Sequence, residues 1–247
     1  TCKDKPLTPR TGVIRRIALE VARALGRGGV RLIIVHGGGS YGHPLAYRYR
    51  LHRGLDRNVR AQLHGLSTTV DSMRRLSLIV SHQLRRAGVP TFPVQTSAVA
   101  ILRDGRIVDL YSEAIRGMLE IGLTPLLWGD VGLDLSSGFG IVSGDSLAAR
   151  LAEEFSASRI VFAMDVDGVY DRPPSMGGKL IPHIRPGARI SYSTVETDVT
   201  GGIARKLAET RKLVERGLKV IFVNGLVEGR VESAILGVKV YGTVYST

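Results

Sequence analysis

The sequence predicts an α/β protein in which a mostly parallel sheet is covered by helices on both faces, as a three-layer αβα sandwich. Short apolar segments rich in branched residues, such as 30–35 and 159–164, alternate with amphipathic segments of ten or more residues. The 247 residues, 44% of them hydrophobic, are enough for one large core. The 30 glycines against 10 prolines indicate many tight turns rather than a low-complexity chain.

The spacing of apolar residues places each element in order. Helices are predicted at 9–26, from Val59 to a stop at Gly88, and at 112–121, 145–155 and 203–216. Strands are predicted at 30–35, 91–95, 99–103, 106–110, 125–128, 159–164 and 218–223, and near Thr243. Asp104-Gly105 is a typical hairpin turn between two of them. Residues 36–43 are predicted to form a loop. Strands joined through helices need right-handed crossovers, so most of the sheet should be parallel.

Charge and composition exclude some classes of protein. The single Cys2 cannot form an internal disulfide, and no apolar run approaches the roughly 20 residues that span a bilayer. The polar start of the chain carries no apolar leader, so a cytoplasmic location is expected. The net charge of +12 lies in the first half, where residues 1–128 hold 20 basic and 8 acidic side chains, so an anionic ligand is expected there. The scarcity of Asn and Gln suggests a thermophilic source.

The first candidate site is the glycine segment from His36 to His43, which directly follows a predicted strand. Ligands of such sheets bind at the carboxyl ends of the strands. Three consecutive glycines leave backbone N–H groups unshielded by a Cβ, so an anion can approach closely. His43 can donate a charge-assisted hydrogen bond to a phosphate. The alternative is a plain glycine-rich turn with a surface histidine, since the segment is neither a GxGxxG nor a Walker A sequence.

Three further segments carry candidate residues. Ser143-Gly144-Asp145 opens a predicted helix, where Asp145 taken alone is better explained as an N-terminal cap. The turn from Asp165 to Tyr170 has two carboxylates and fits a metal site, a ribose contact or a tight turn. The segment from Asp198 to Lys206 places a glycine pair at a helix start with Lys206 one turn inside, which is typical of a phosphate cradle. A solvated lysine is the alternative there.

In this order and at these spacings, the segments resemble the amino acid kinase family, whose fold is an open αβα sandwich. The matching segments are His36–His43, Gly129-Asp130-Val131, Ser143-Gly144-Asp145, Asp165–Tyr170 and Asp198–Lys206. The resemblance runs over the whole chain, and its most specific element is His43, which is typical of the members that phosphorylate isopentenyl phosphate. It implies transfer of the γ-phosphoryl group of ATP to isopentenyl phosphate, for isoprenoid precursor synthesis in an alternative mevalonate pathway.

The resemblance also implies roles for single residues. His43 would clamp the acceptor phosphate, Asp145 would orient lysines rather than act as a base, and Lys206 would stabilise the transferring phosphate. The implied catalytic residues are His43, Asp145, Lys206 and Lys3. The implied substrate-binding residues are Gly38, Ser40, His43 and Gly144. The implied nucleotide-binding residues are Gly39, Asp165, Gly168, Tyr170, Gly202 and Lys206. Mg²⁺ would be bound mainly through ATP oxygens, without a dedicated set of protein ligands.

The chain departs from the family pattern at its start. That pattern begins with a strand carrying Lys-x-Gly-Gly-Ser, followed shortly by Thr-x-Lys, whereas this sequence begins at Thr1-Cys2-Lys3. Lys3 is therefore expected to match the second lysine, with the first strand absent through truncation or degeneration, and activity of the chain as given is in doubt. One domain is expected over 1–247, with an acceptor-binding lobe at about 1–143 and a nucleotide-binding lobe at about 144–247, in a homodimer.

Two other functions stay open. A kinase of the same family could act on a different small phosphate or phosphonate, because the pocket beyond His43 selects the acceptor. Residues 47–60 carry five arginines interleaved with aromatic residues, a pattern typical of nucleic-acid binding, although a solvated surface is the favoured interpretation. For the acceptor tail, Val70, Met73 and Leu76 on the long helix are predicted to line an apolar pocket, with ordinary core positions as the alternative.

Overall fold

The structure is a computed structural model that describes residues 7–188 and 202–247. Its helices are α1 (Thr11–Gly26), α2 (Gly39–Arg48), α3 (Val59–Arg86), α4 (Thr96–Val99), α5 (Glu113–Glu120), α6 (Gly144–Glu154), α7 (Gly202–Glu215) and α8 (Arg230–Leu236). Its strands are β1 (Ile34–His36), β2 (Thr91–Pro93), β3 (Ala100–Arg103), β4 (Arg106–Leu110), β5 (Thr124–Trp128), β6 (Asp130–Asp134), β7 (Gly138–Val142), β8 (Arg159–Met164), β9 (His183–Ile184), β10 (Lys219–Asn224) and β11 (Gly242–Tyr245).

The described strands form three sheets with the orders β1-β5-β2, β8-β10-β11-β9 and β4-β3-β6-β7. The first sheet is parallel throughout. In the second, β10 pairs with β8 in parallel and with β11 in antiparallel orientation. The third is mainly antiparallel. The predicted α/β class is confirmed, with parallel pairing at the strands that follow helical crossovers.

The core explains why the helices lie where they do. Helix α3 turns one apolar stripe inward, and it packs with α1 and α8 against β5 and β10. The largest buried side chains of that stripe, Met73 and Leu76, are almost fully excluded from solvent. None of the helices in the described ranges is long and apolar enough to cross a bilayer.

A cleft of about 2510 Å³ runs between β1 and β8. Helix α6 begins beside the end of β1. A Cβ built on Gly144, its first residue, would lie 3.5 Å from the His36 carbonyl oxygen. The same helix ends just before β8. Strands β1 and β8 therefore point in the same direction, and the segments that follow both strands lie at the same end of the cleft.

Most predicted elements are present with ends shifted by a few residues, and the long helix from Val59 is found over Val59–Arg86. Two predictions were wrong in detail. The loop predicted over 36–43 gives way to α2 at Gly39, and the first strand is regular only from Ile34. Glycine has a low helix propensity, so α2 cannot be predicted from the sequence. Packing of α2 against α3 stabilises it. The sequence analysis also missed α4, β6, β7, β9 and α8.

Candidate active site

The glycine segment joins the end of β1 to the start of α2. Gly37, Gly38, Gly39 and Ser40 all line the cleft. The first N–H groups of a helix have no partner within the helix, so the start of α2 offers donors at this position. Gly39 has a φ of +49°, which favours glycine. A Cβ on Gly38 would lie only 3.3 Å from the sulfur of Met73, so the loop also needs glycine to rest on α3.

His36 supports this loop from within the protein. Its ring is buried and stacks on Trp128 with 6.0 Å between ring centroids. Burial lowers the pKa of His36 to about 4, so the ring is neutral at physiological pH. Nδ1 lies 3.1 Å from the Gly37 carbonyl oxygen, while Nε2 has no hydrogen-bond partner in the described part of the chain. The first histidine of the motif is therefore a buried support for the loop rather than an exposed cation.

His43 occupies the other end of the segment. It is exposed on α2 and lines the cleft together with Ser40. The Ser40 hydroxyl is buried and has no partner within the described residues. Gly42 precedes His43 and approaches Met73 so closely that a Cβ would lie 3.0 Å from the sulfur. This close packing fixes the turn of helix from which the imidazole of His43 projects.

Lys206 and Asp145 form an ion pair on the wall of the cleft that faces the glycine segment. The Lys206 ammonium donates to the Asp145 carboxylate over 2.8 Å, and each side chain is about one fifth exposed (22% and 23%). Ser143 caps α6 and accepts from the Asp145 N–H over 3.2 Å. The Lys206 ammonium also lies 5.5 Å from the centre of the Phe162 ring. Asp145 therefore orients a cation at the cleft, and capping of α6 is the role of Ser143.

Gly144, at the start of α6, lies close to the ends of both β1 and β5. Besides its approach to His36, a Cβ on Gly129 would lie 3.0 Å from the Gly144 amide nitrogen. The ends of β1 and β5 and the start of α6 therefore lie close together: a Cβ at Gly129 would be crowded, whereas one at Gly144 would make ordinary van der Waals contact. The glycine loop and Asp145 are held at one end of the cleft as a result.

The turn after β8 supplies the next part of the wall. Asp165 and Tyr170 line the cleft, and so does Gly202 at the start of α7. Gly168 is buried behind the turn and is not among the residues that line the cleft. A Cβ there would lie 2.5 Å from the Thr243 hydroxyl oxygen, so close packing on β11 explains this glycine. Its contact with the nucleotide stays a prediction.

Two acidic residues of the site were not assigned a role from the sequence. Asp130 is buried at the start of β6, lines the cleft and accepts from the Ser97 hydroxyl over 3.0 Å. Burial raises the pKa of Asp130 to about 6. Asp167 accepts hydrogen bonds from three side chains behind the turn after β8. Both residues follow a predicted strand, and this position alone marked them as candidates for the site. The hydrogen-bond partners of Asp130 and Asp167 cannot be deduced from sequence spacing.

Some predicted site residues lie outside the described ranges, and others do not line the cleft. Lys3 and residues 198–201 lie outside the described residues. Met73 lines the cleft, whereas Val70 and Leu76 do not, and Leu76 is fully buried in the core. In the ranges 7–188 and 202–247, no group of three His, Cys, Asp or Glu residues is arranged to hold a metal ion.

The basic segment 47–60 forms part of the cleft's edge. Tyr47 stacks on His52 with 6.1 Å between ring centroids, and both residues line the cleft. The arginines of this segment are all exposed, and within the described residues none of them forms an ion pair. They therefore form a solvated basic surface on the side of the cleft that carries His43.

A layered α/β protein in which a glycine loop and a lysine–aspartate pair face each other across a cleft has the layout of a phosphotransferase. The sequence model of the amino acid kinase family matches residues 3–224. Isopentenyl phosphate kinase from Methanothermobacter thermautotrophicus is 34% identical over 238 residues, which cover 93% of this chain and 88% of that protein.

Solved structures agree with this similarity. An isopentenyl phosphate kinase structure superposes with a TM-score of 0.85 at 30% identity, covering 99% of this chain and 94% of the other. The product complex of isopentenyl phosphate kinase from Thermoplasma acidophilum superposes with a TM-score of 0.78 at 26% identity, covering 98% of this chain and 93% of the other. This chain therefore belongs to the amino acid kinase family.

Proposed function

We propose that this chain transfers the γ-phosphoryl group of ATP to isopentenyl phosphate, giving isopentenyl diphosphate and ADP. The observation that carries this proposal is the meeting of the glycine loop and His43 with the Lys206–Asp145 pair at one cleft. Two relatives that match 93% and 98% of the chain are isopentenyl phosphate kinases, which supports the choice of acceptor.

The glycine segment and α2 bind the acceptor. His43 donates a hydrogen bond to the acceptor phosphate, and Ser40 and Gly38 line the same position. A phosphate oxygen is already ionised at neutral pH, so no general base is needed. This oxygen attacks the γ-phosphorus while the bond to the β–γ bridging oxygen breaks, and ADP leaves with that electron pair.

Charge on the moving group is balanced from the opposite wall. Lys206 donates to the transferring and leaving phosphates, and the 2.8 Å ion pair with Asp145 keeps its ammonium directed at the cleft. Gly39 supplies an amide between acceptor and donor, while Gly144 and Gly202 allow the phosphates to approach the backbone. Such fixed donors stabilise charge without reorganising during the reaction.

The nucleotide lies along the turn after β8, beside Asp165 and Tyr170, in the lobe from about residue 144 onward. Mg²⁺ usually keeps several waters and is bound through one or two carboxylates plus substrate phosphates. Asp130, Asp145 and Asp165 line the cleft, but no three-ligand cluster occurs among the described residues. This donor set fits a Mg²⁺ ion held chiefly by ATP, where it would neutralise phosphate charge.

The acceptor tail requires an apolar wall next to His43. Ala46, Met73, Val131 and Ile141 line the cleft and provide that wall. Burial of an apolar tail there contributes roughly 0.8 kcal/mol per methylene and gives no benefit to a polar acceptor. This wall favours isopentenyl phosphate over the alternative of a small polar phosphate or phosphonate.

The test is a product assay with purified chain, ATP and Mg²⁺. Isopentenyl phosphate, an amino-acid carboxylate and a short phosphonate are offered as separate acceptors, and ADP and the phosphorylated product are measured by mass spectrometry. We expect isopentenyl diphosphate and ADP in equal amounts, and little ADP with the other two. Turnover of the carboxylate or phosphonate without turnover of isopentenyl phosphate would overturn the assignment.

A further inference from the structure

We propose that Asp167 is a positioning residue for the nucleotide: it ties the Asp165–Tyr170 turn to β10 and α8, so that the turn is preformed for binding. This inference rests on the proposed function for the identity of the nucleotide. Asp167 does not itself line the cleft, whereas Asp165, Val166 and Tyr170 do. Its effect must therefore be transmitted through its neighbours.

The carboxylate of Asp167 joins its own turn to two side chains that lie 57 and 63 residues further along the chain. Its Oδ2 accepts from the Tyr170 hydroxyl over 3.1 Å, within the turn itself. Its Oδ1 accepts from the Asn224 side chain over 3.0 Å, at the end of β10. Arg230, the first residue of α8, donates to the same oxygen. Hydrogen bonds from Asn224 and Arg230 lower the pKa of Asp167, so it is ionised at neutral pH.

The partners of Asp167 are themselves held in place. The guanidinium of Arg230 lies 4.9 Å from the centre of the Tyr241 ring. Asn224 accepts from the Leu226 N–H over 2.9 Å, which fixes the turn after β10. Gly225 and Leu226 in that turn also line the cleft. Asp167 therefore connects the two turns that follow the neighbouring parallel strands β8 and β10.

Preorganisation predicts a specific kinetic effect. Loosening both turns raises the cost of ordering them around the nucleotide, so ATP binds less tightly. The acceptor lies beside α2 and α3, at a different part of the cleft, and the transferring phosphate lies near Lys206. Loss of Asp167 should therefore change ATP affinity while leaving the acceptor KM and kcat nearly unchanged.

The experiment measures ATP affinity directly by calorimetry without acceptor, and then the steady-state constants. We expect Asp167→Asn to raise the ATP Kd and KM about tenfold, with kcat and the acceptor KM within about twofold of the original values. Asp134→Asn is the matched control. Asp134 likewise accepts three hydrogen bonds, in its case from backbone amides, but it is buried at the end of β6 and does not line the cleft. It should lose stability without losing ATP affinity.

A second pair of variants separates positioning from general destabilisation. Arg230→Gln should weaken ATP binding, and Arg230→Lys should restore much of it by returning the charge to Asp167. The effects of Asp167→Asn and Arg230→Gln should be less than additive, because both remove the same link. Unchanged ATP affinity in Asp167→Asn, or an equal loss in Asp134→Asn, would overturn the inference. If the original chain binds ATP but does not phosphorylate isopentenyl phosphate, the proposed function fails while the role of Asp167 is still measured by calorimetry.

Discussion

Shortening Met73 should change which acceptors the cleft takes. The Met73 sulfur lies where a Cβ on Gly42 or Gly38 would come within 3.0 or 3.3 Å, so this side chain forms the floor beneath the glycine loop. Met73→Ala removes three heavy atoms at a position that is 1% exposed and lines the cleft. The space released next to His43 can hold part of a longer prenyl tail.

The size of the effect follows from the apolar surface that the longer tail can bury. Each added methylene contributes roughly 0.8 kcal/mol, which is about a fourfold change in relative kcat/KM. We therefore expect the ratio of kcat/KM for a longer prenyl phosphate to that for isopentenyl phosphate to rise about fourfold per methylene accommodated. The assay measures ADP release for both acceptors at saturating ATP.

Leu76→Ala is the matched control for this prediction. Leu76 lies one helical turn further along α3 and is 0% exposed, but it does not line the cleft. Both substitutions remove core packing and should cost about 2–5 kcal/mol of stability. Only Met73→Ala should change the preference for tail length. An unchanged ratio in Met73→Ala, or an equal rise in Leu76→Ala, would refute Met73 as the floor of the tail pocket.

The sequence was sufficient for the overall class and for β1 and β8, the strands that precede the glycine loop and the Asp165–Tyr170 turn. Helix α3 and strand β8 have strong apolar periodicity or a continuous branched run, and both are found close to where the sequence predicts them. Helix α2 could not be predicted, because it starts in a run of glycines and depends on packing against Met73. Local propensity is a weak guide where tertiary contacts decide.

The same limit applies to individual site residues. The Lys206–Asp145 pair spans 61 positions of sequence, and the resemblance to a family, rather than spacing, suggested that the two meet. The resemblance assigned Gly168 to the nucleotide, and only the structure shows that close packing on Thr243 requires a glycine there. The partners of Asp167 come from β10 and α8, and α8 itself was not predicted. Roles that depend on several distant elements become visible only in three dimensions.

The remaining predictions concern the acceptor clamp, the ion pair and the buried histidine. His43→Ala should lower kcat/KM for the acceptor about a hundredfold while the ATP Kd measured by calorimetry stays within about twofold, and a large loss of ATP affinity would contradict the clamp. Asp145→Asn should lower kcat by a similar factor with little change in either KM, because Lys206 loses its orienting charge; an unchanged kcat would contradict that role. His36 should make stability depend on pH, because burial holds its pKa at about 4 in the folded state against 6.5 in the unfolded chain. As the pH falls from 6.5 to 4, His36 becomes protonated in the unfolded chain but stays neutral in the folded protein. The free energy of unfolding should therefore fall by up to about 3 kcal/mol. Asp130 has the opposite shift, so the contribution of His36 is isolated by comparing denaturant unfolding of the original chain with that of His36→Gln at pH 7, 5.5 and 4.5. The difference in unfolding free energy between the two proteins should shrink steadily toward acid pH, and a constant difference would show that His36 is not held neutral by burial.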